Sequence, residues 1–319
     1  MPKPLINVAA GLITRADGAL LLARRPDDKP WPGWWELPGG KIEPGETVLQ
    51  ALARELEEEL GINVTAATRW VAYTHEYPKN IVRLAFCRVT GWDGAPTGVE
   101  GQTLAWVDPY KPIEIGPLLP ATEPPLRWLQ LPDRYLLTSI GGLANMERFV
   151  GKLTQALEGG LRLVQFREPE WAAEAPQAVY EGFRQVAQRC HHFGAQCLVN
   201  SVHPKSWWSQ ADGVHFRASD MPDGMSLVEH ERPSLVGVSA HSREDLALAR
   251  ALKADFAVLG HVLDTPSHPQ QPGRGWDWFT TLALDAGLPV FAIGGQSTAT
   301  LDEARRHGAH GIAGIRHLF

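Results

Sequence analysis

From residue 131 onward the sequence falls into an alternation that few folds satisfy. Eight short β-type runs, at 135–138, 161–165, 196–200, 213–216, 235–239, 256–259, 290–293 and 311–315, are separated by longer stretches. Two of these, TQALEGG at 154–160 and DEARRHGA at 302–309, are helical in pattern and carry a Gly stop. Strands alternating with helices pair in parallel, because each crossover returns the chain in the same direction. Eight such units within residues 131–319 predict a compact (β/α)8 TIM barrel, with a doubly wound open sheet as the competing topology.

The first third has a different texture. Runs at 5–12 and 19–23 flank Asp17-Gly18, a hairpin signal. A Pro/Trp/Gly-rich loop, KPWPGWWELPGG, leads into a helical segment at 47–60, and strand-like runs follow at 70–74 and 81–89. Residues 110–125 hold five prolines and read as irregular or linker-like. At roughly 150 residues per domain, 319 residues predict two domains, here 1–130 and 131–319.

Composition narrows the function. The formal charge of −6 and pI near 6.1 argue against gripping a nucleic-acid polymer, which needs a basic face, but leave single nucleotides open. Cys87, Cys190 and Cys197 form no CxxC pair, so neither a disulfide framework nor a thiolate zinc site is expected, and a reducing cytoplasm is the simplest compartment. No apolar stretch reaches the ~20 residues needed to span a bilayer, so no membrane association is expected. Oligomeric state is not legible.

The most informative segment is GGKIEPGETVLQALARELEEELGI at 39–62. Val48, Leu49, Leu52, Leu56 and Leu60 form an apolar stripe near the 3.6-residue period. Glu55, Glu58 and Glu59 fall at i, i+3 and i+4, which sets their carboxylates on one flank of a helix. A solvated acidic face is the bland reading. Converging carboxylates repel unless a cation sits among them, and Mg2+, with Mn2+ as the alternative ion, suits oxygen ligands and substrate phosphates together. Arg54, four residues before Glu58, can brace it.

This segment resembles the Nudix box at every defining position: Gly40, Glu46, Arg54, Glu55, Leu56, Glu58, Glu59, Gly61 and Ile62. The resemblance runs over about 5–128 and is closest to MutT-type 8-oxo-dGTP diphosphatases, through Arg24-Arg25, ELPGGKIEPGE, VEGQ at 99–102 and PATEP at 120–124. It implies an α/β/α sandwich around a mixed sheet and Mg2+-dependent hydrolysis of a nucleoside triphosphate to the monophosphate and pyrophosphate. It further implies that Glu58, Glu59 and the Gly39 carbonyl hold metal, and that Glu55 and Glu100 are ligands or bases. Arg25, Glu36, Leu37, Pro38 and Gly39 would line the nucleotide site. One departure stands out: the subfamily's base-reading Asn is Thr122 here, and a hydroxyl offers one donor and a shorter reach where an amide sets a donor and an acceptor side by side. Trp31, Trp34 and Trp35 are read as packing or, alternatively, as a base platform.

The second half resembles the thiamine-phosphate synthase/TenI family. The carriers are LVQFRE at 163–168, LVN ending at Asn200, ADGVH at 211–215, GVSAHS at 237–242 and AIGG at 292–295. LGHVLDTPSHPQQPGRG places it nearer the TenI branch, which is similar to a thiazole tautomerase. The synthase's Lys after QxRE, its Mg2+ Asp and its loop Lys correspond to Pro169, Ser201 and His268. Gln165, Arg167, Asn200 and Asp220 remain, as do Gly294 and Gly295 for a phosphate. The resemblance therefore implies a barrel that takes a phosphorylated small molecule, with His241 as its catalytic base or as a strand-end histidine. Three readings follow: a nucleotide-pool hydrolase serving DNA repair, a hydrolase of another nucleoside diphosphate or a thiamine-pathway pyrophosphate, and a hydrolase positioned by a non-catalytic barrel.

Overall fold

The computed structural model describes residues 2–221, 233–267 and 269–319. The chain divides into two compact units, Met1–Leu131 and Pro132–Phe319. The first contains β1 (Leu5–Ile13), β2 (Leu20–Arg24), β3 (Trp35–Glu36), β4 (Gly39–Lys41), α1 (Val48–Leu60), β5 (Asn63–Glu76), β6 (Ile81–Asp93), β7 (Thr103–Val107) and α2 (Glu123–Leu129). A mixed sheet runs β4-β1-β6-β5, with β1 parallel to β6 and antiparallel to β4. A second, antiparallel sheet runs β3-β2-β7.

Alternation along β1 and β6 builds the layers. Ala9, Ile13, Cys87 and Val89 face one way and pack with Leu52, Leu56 and Leu60 of α1. Ala10, Leu12 and Phe86 face the other way, with Trp70 and with Leu126 and Trp128 of α2. The result is the expected helix–sheet–helix sandwich.

Local details depart from the sequence reading in three places. The Asp17-Gly18 turn closes through Arg15 and Ala19, but beyond the single Thr14–Leu20 bridge the strands part into different sheets. Both edges of β1 are already occupied by β4 and β6, so no hairpin ladder extends. On α1, Leu49 is exposed and Ala51 takes its place in the buried stripe. Residues 110–125 are irregular but no linker: the Pro117 carbonyl accepts from the Trp35 N–H at 2.8 Å, the Leu119 N–H donates to the Trp35 carbonyl at 2.9 Å, and α2 starts at Glu123. The prolines remove donors there without removing the segment from the core.

The second unit is a closed barrel of eight parallel strands, β8 (Arg134–Leu137), β9 (Leu163–Phe166), β10 (Gln196–Asn200), β11 (Gly213–Phe216), β12 (Leu235–Ala240), β13 (Phe256–Gly260), β14 (Val290–Ile293) and β15 (Gly311–Gly314). All eight predicted runs are strands, and closure of β15 on β8 excludes the open sheet. Crossovers carry α3 (Met146–Glu158), α4 (Pro169–Glu174), α5 (Pro176–His192), α6 (Arg243–Ala251), α7 (Trp276–Ala283) and α8 (Leu301–Arg306). Alternate residues such as Leu136, Val164, Val199 and Val214 face the helices, while Tyr135, Phe256 and Phe291 pack ring against ring within the barrel. Among the described residues no helix is long and apolar enough to cross a membrane, and the three cysteines are buried and free.

Candidate functional site

In the first unit, α1 starts at a capping box: the Thr47 hydroxyl accepts from the Gln50 N–H, and the Gln50 side chain accepts from the Thr47 N–H. The buried stripe seats the helix on the sheet and presents its acidic flank to the β4 backbone. A Cβ on Gly40 would lie 2.1 Å from Glu55 Oε2, so only glycine lets that carboxylate rest against the strand. Glu59 Oε2 accepts from the Gly39 N–H at 3.1 Å. The Glu59 carbonyl accepts from Val99 N–H at 3.0 Å and Gln102 Nε2 at 2.7 Å, which ties the loop bearing Glu100 to the end of the helix.

These groups meet at a cavity of about 900 Å³ lined by Arg25, Glu36, Leu37, Pro38, Gly39, Glu55, Glu59, Glu100 and Thr122. Trp31, Tyr77 and Lys29 also line it. Trp35 packs in the core, whereas Trp31 is 40% exposed with Tyr77 6.1 Å from it. Arg25 donates from Nη1 to Glu36 at 2.5 Å and from Nε to the Pro30 carbonyl at 2.6 Å, a pair that fixes one wall. Glu58 does not line the cavity. It is an exposed partner of Arg54, which donates to Glu58 at 3.1 Å, Glu55 at 2.9 Å and Glu46 at 2.8 Å. Those bonds from Arg54 hold the Glu46 carboxyl down at about 2. Glu100 stands 3.4 Å from Lys29, a partner 71 positions away that no sequence pattern announces.

Glu59 is the carboxylate under most strain in the cavity. Burial, and then the negative charges of Glu36, Glu55 and Glu100, push Glu59 up to about 7 against the opposing Gly39 N–H. Burial also raises Glu36 despite Arg25. Among the described residues no three His, Cys, Asp or Glu side chains stand close enough to form a metal cluster. Arg54 and the Gly39 amide hold Glu55, Glu58 and Glu59 instead. The donor set is all carboxylate oxygen, and Glu59 within it has no Arg or Lys partner among the described residues, which fits a hard divalent ion.

In the barrel, Gln165 and Asn200 are buried inside the strands, and Asn200 Nδ2 donates to Gln165 Oε1 at 2.7 Å. Arg167 follows β9 at its carboxyl end, its N–H donating to Thr138 Oγ1 at 2.9 Å. The neighbouring Glu168, 2% exposed, accepts from the Ile140 and Gly141 N–H groups at 2.8 and 2.9 Å and so shapes the first loop. The sequence reading gave it no role. Pro169 opens α4, and Ser201 donates to Asp220 at 2.7 Å, where Arg217 also pairs at 2.5 Å. The carboxylate that remained is therefore already neutralised. His241 is exposed; its Nδ1 lies 3.1 Å from the Gly260 carbonyl, which can only accept, so Nδ1 donates and Nε2 has no partner among the described residues. Gly294 and Gly295 adopt φ of +96° and +65° at the end of β14. His268 lies outside the described residues.

Fold and site together define a two-part α/β protein: a sandwich with an acidic cavity and a closed parallel barrel. The family model described as thiamine monophosphate synthase matches residues 135–318, and the NUDIX domain model matches residues 4–129; the chain belongs to both families. It is 40% identical over 121 residues to an 8-oxo-dGTP diphosphatase of Haemophilus influenzae, covering 38% of this chain and 88% of that protein. It is also 40% identical over 120 residues to a CTP pyrophosphohydrolase of Escherichia coli, covering 38% and 87%. A thiamine-phosphate synthase of Thermosynechococcus vestitus is 32% identical over 193 residues, 60% of this chain, which spans only 53% of that relative's length.

Proposed function

We propose that the first unit is a Mg2+-dependent nucleoside triphosphate diphosphatase that converts 8-oxo-dGTP to 8-oxo-dGMP and pyrophosphate, a nucleotide-pool activity serving DNA repair. The observation that carries this is the convergence of Glu36, Glu55, Glu59 and Glu100 on one cavity, where burial and those neighbouring carboxylates push Glu59 up to about 7. Glu55, Glu58, Glu59, Glu100 and the Gly39 carbonyl would hold the ion, which supplies positive charge for the diphosphate and acidifies the attacking water. Occupation requires Glu58 to leave Arg54 and Glu100 to leave Lys29. A carboxylate not engaged in binding, Glu55 or Glu100, takes the proton as water attacks phosphorus. Arg25, held by Glu36, orients the nucleotide beside Leu37 and Pro38.

A second reading, hydrolysis of a cytidine nucleotide or a thiamine-pathway pyrophosphate, draws support from the buried Thr122, whose hydroxyl replaces the amide of the 8-oxo-dGTP enzymes. For the barrel, the exposed His241, with Nδ1 on the Gly260 carbonyl and Nε2 unpartnered among the described residues, suits proton transfer on a phosphorylated thiazole, whereas Pro169, Ser201 and the paired Asp220 leave a pyrophosphate and its metal unsupported. Pyrophosphate release from a nucleotide panel, with Mg2+ and without, tests the first unit. Turnover of 8-oxo-dGTP only with Mg2+ is expected; turnover confined to a non-purine pyrophosphate selects the second reading, and turnover without a divalent ion defeats both. Thiamine phosphate formed from the thiazole and pyrimidine substrates would overturn the barrel reading.

A further inference from the structure

Five side chains inside the barrel are joined end to end. Asn200 Nδ2 lies 2.7 Å from Gln165 Oε1, Gln165 Nε2 2.9 Å from Tyr135 Oη, Tyr135 Oη 3.1 Å from His215 Nδ1, and His215 Nε2 3.0 Å from Ser239 Oγ. Tyr135, Gln165, Asn200 and His215 are each at most 1% exposed. Gly237 makes the room: a Cβ there would lie 2.7 Å from His215 Nδ1 and 2.5 Å from the Phe256 ring.

The direction of the chain follows from one backbone group. Val202 N–H donates to Asn200 Oδ1 at 3.0 Å, and an amide N–H can only donate. Asn200 must then turn its NH2 toward Gln165, whose oxygen accepts and whose NH2 donates to Tyr135. The tyrosine oxygen, already accepting, has one proton to give, and His215 Nδ1 is the acceptor it meets. His215 therefore carries its proton on Nε2 and donates it to Ser239. The reverse arrangement would strand the Tyr135 hydroxyl proton in a buried interior without an acceptor. Ser239 Oγ, having accepted, keeps its own proton for something else. Ser239 is the fifth residue of the six-residue β12, at its carboxyl end, the end at which barrels bind ligands.

We infer that Tyr135 and His215 are positioning residues: they fix the Ser239 hydroxyl as an outward donor to an acceptor atom of the barrel's ligand. Arg167 follows the last residue of β9, at the same carboxyl end of the barrel as Ser239, so an anionic group belongs there. The ligand is then a phosphorylated molecule that also presents an unprotonated ring nitrogen or oxygen. This rests on the reading of the barrel as a binder of a phosphorylated small molecule.

The full-length protein, labelled with 15N-histidine, tests the chain directly. The His215 signal, assigned by its absence in His215→Asn, is expected as the Nε2–H tautomer, and Tyr135→Phe should spread it over both tautomers. Calorimetric titration with 4-methyl-5-(2-phosphoethyl)thiazole, with inorganic phosphate as the second probe, reads the consequence. Ser239→Ala should raise the thiazole Kd about threefold to tenfold, and Tyr135→Phe, which leaves Ser239 in place, about threefold. Phosphate affinity should be unchanged in both, a readout that general loss of structure would not spare. A His215 proton found on Nδ1 overturns the relay, whatever binds. Thiazole affinity unaffected by Tyr135→Phe overturns the positioning role. Failure of both probes to bind the wild-type chain defeats the barrel reading itself and the ligand half with it, while the tautomer still decides the chain's direction.

Discussion

In the first unit, Glu36, Glu55, Glu59 and Glu100 line one cavity and Glu59 is pushed up to about 7, because burial and the neighbouring carboxylates outweigh the Gly39 N–H. In the barrel, Asn200, Gln165, Tyr135, His215 and Ser239 hand one hydrogen bond to the next, and burial, followed by Arg167, pushes His215 down to about 3, neutral at any ordinary pH. Both interiors are polar, but they differ in what is left over. The cavity keeps one buried carboxylate, Glu59, with no Arg or Lys partner among the described residues, and its charge is favoured only when a cation arrives beside it. The barrel keeps almost nothing except one oriented hydroxyl. Uncompensated charge marks a site whose electrostatics are completed by its cofactor, whereas a satisfied neutral chain marks a site already organised before the ligand arrives.

The largest expected effect tests the cavity side. Glu59→Gln removes one charge with little change of shape and should lower kcat for nucleotide hydrolysis by roughly 10²–10⁴-fold. The same change should raise the thermal unfolding midpoint of the metal-free protein, since a buried, repelled carboxylate is gone. Glu58→Gln provides the sharper comparison. A loss of similar size would mean that the exposed Glu58 moves from Arg54 to the ion, while near-normal turnover at saturating Mg2+ would remove it from the ligand set.

The barrel side should respond to acid. Burial pushes His203 down to about 4 and His215 to about 3, below the ~6.5 of an unfolded histidine. Between those values the unfolded chain binds more protons than the folded one, so this stability is complete above pH ~6.5 and is lost as pH falls toward 4 and 3. By pH 5 the loss is about 2 kcal/mol for His215. Amide exchange in the barrel strands at pH 7 and pH 5 measures it. Equal protection at both pH values would mean that these rings are not held neutral.

How much of this the sequence revealed follows the range of the interactions. The eight barrel strands and α1 were legible because alternation and the 3.6-residue period are local, and Glu55 and Glu59 were legible because one helix flank carries both. Lys29 beside Glu100 was not, since the pairing joins loops 71 positions apart. Likewise the relay draws on β8, β9, β10, β11 and β12, and only barrel closure brings Tyr135 of the first strand against His215 of the fourth. The motif LVQFRE gave Gln165 and Arg167 but not Glu168, whose role is to bond two backbone amides of a different loop. The Asp17-Gly18 turn shows the opposite failure: local turn chemistry was right, yet both edges of β1 were taken by distant strands.

Thr122→Asn carries the smallest expected effect and bears on what the cavity reads beyond charge. Thr122 lines the cavity and is 4% exposed, and no cap bond from its side chain satisfies the start of α2. A hydroxyl donates and accepts through a single atom at short reach, whereas the amide presents separate donor and acceptor atoms side by side, matching an oxidised purine edge that carries both. A matched polar pair discriminates by roughly 1–3 kcal/mol when the unmatched partner is left unpaired, and the crowding of a longer side chain at a buried position works against the full gain. The ratio of kcat/KM for 8-oxo-dGTP over dGTP should therefore rise by about tenfold or somewhat less, with the rate on 8-oxo-dGTP itself changing little. Steady-state kinetics on the two nucleotides reads this directly. An unchanged ratio would mean that Thr122 does not face the base, and that Trp31 and Tyr77 at the cavity hold the heterocycle by stacking, which does not distinguish the oxidised edge.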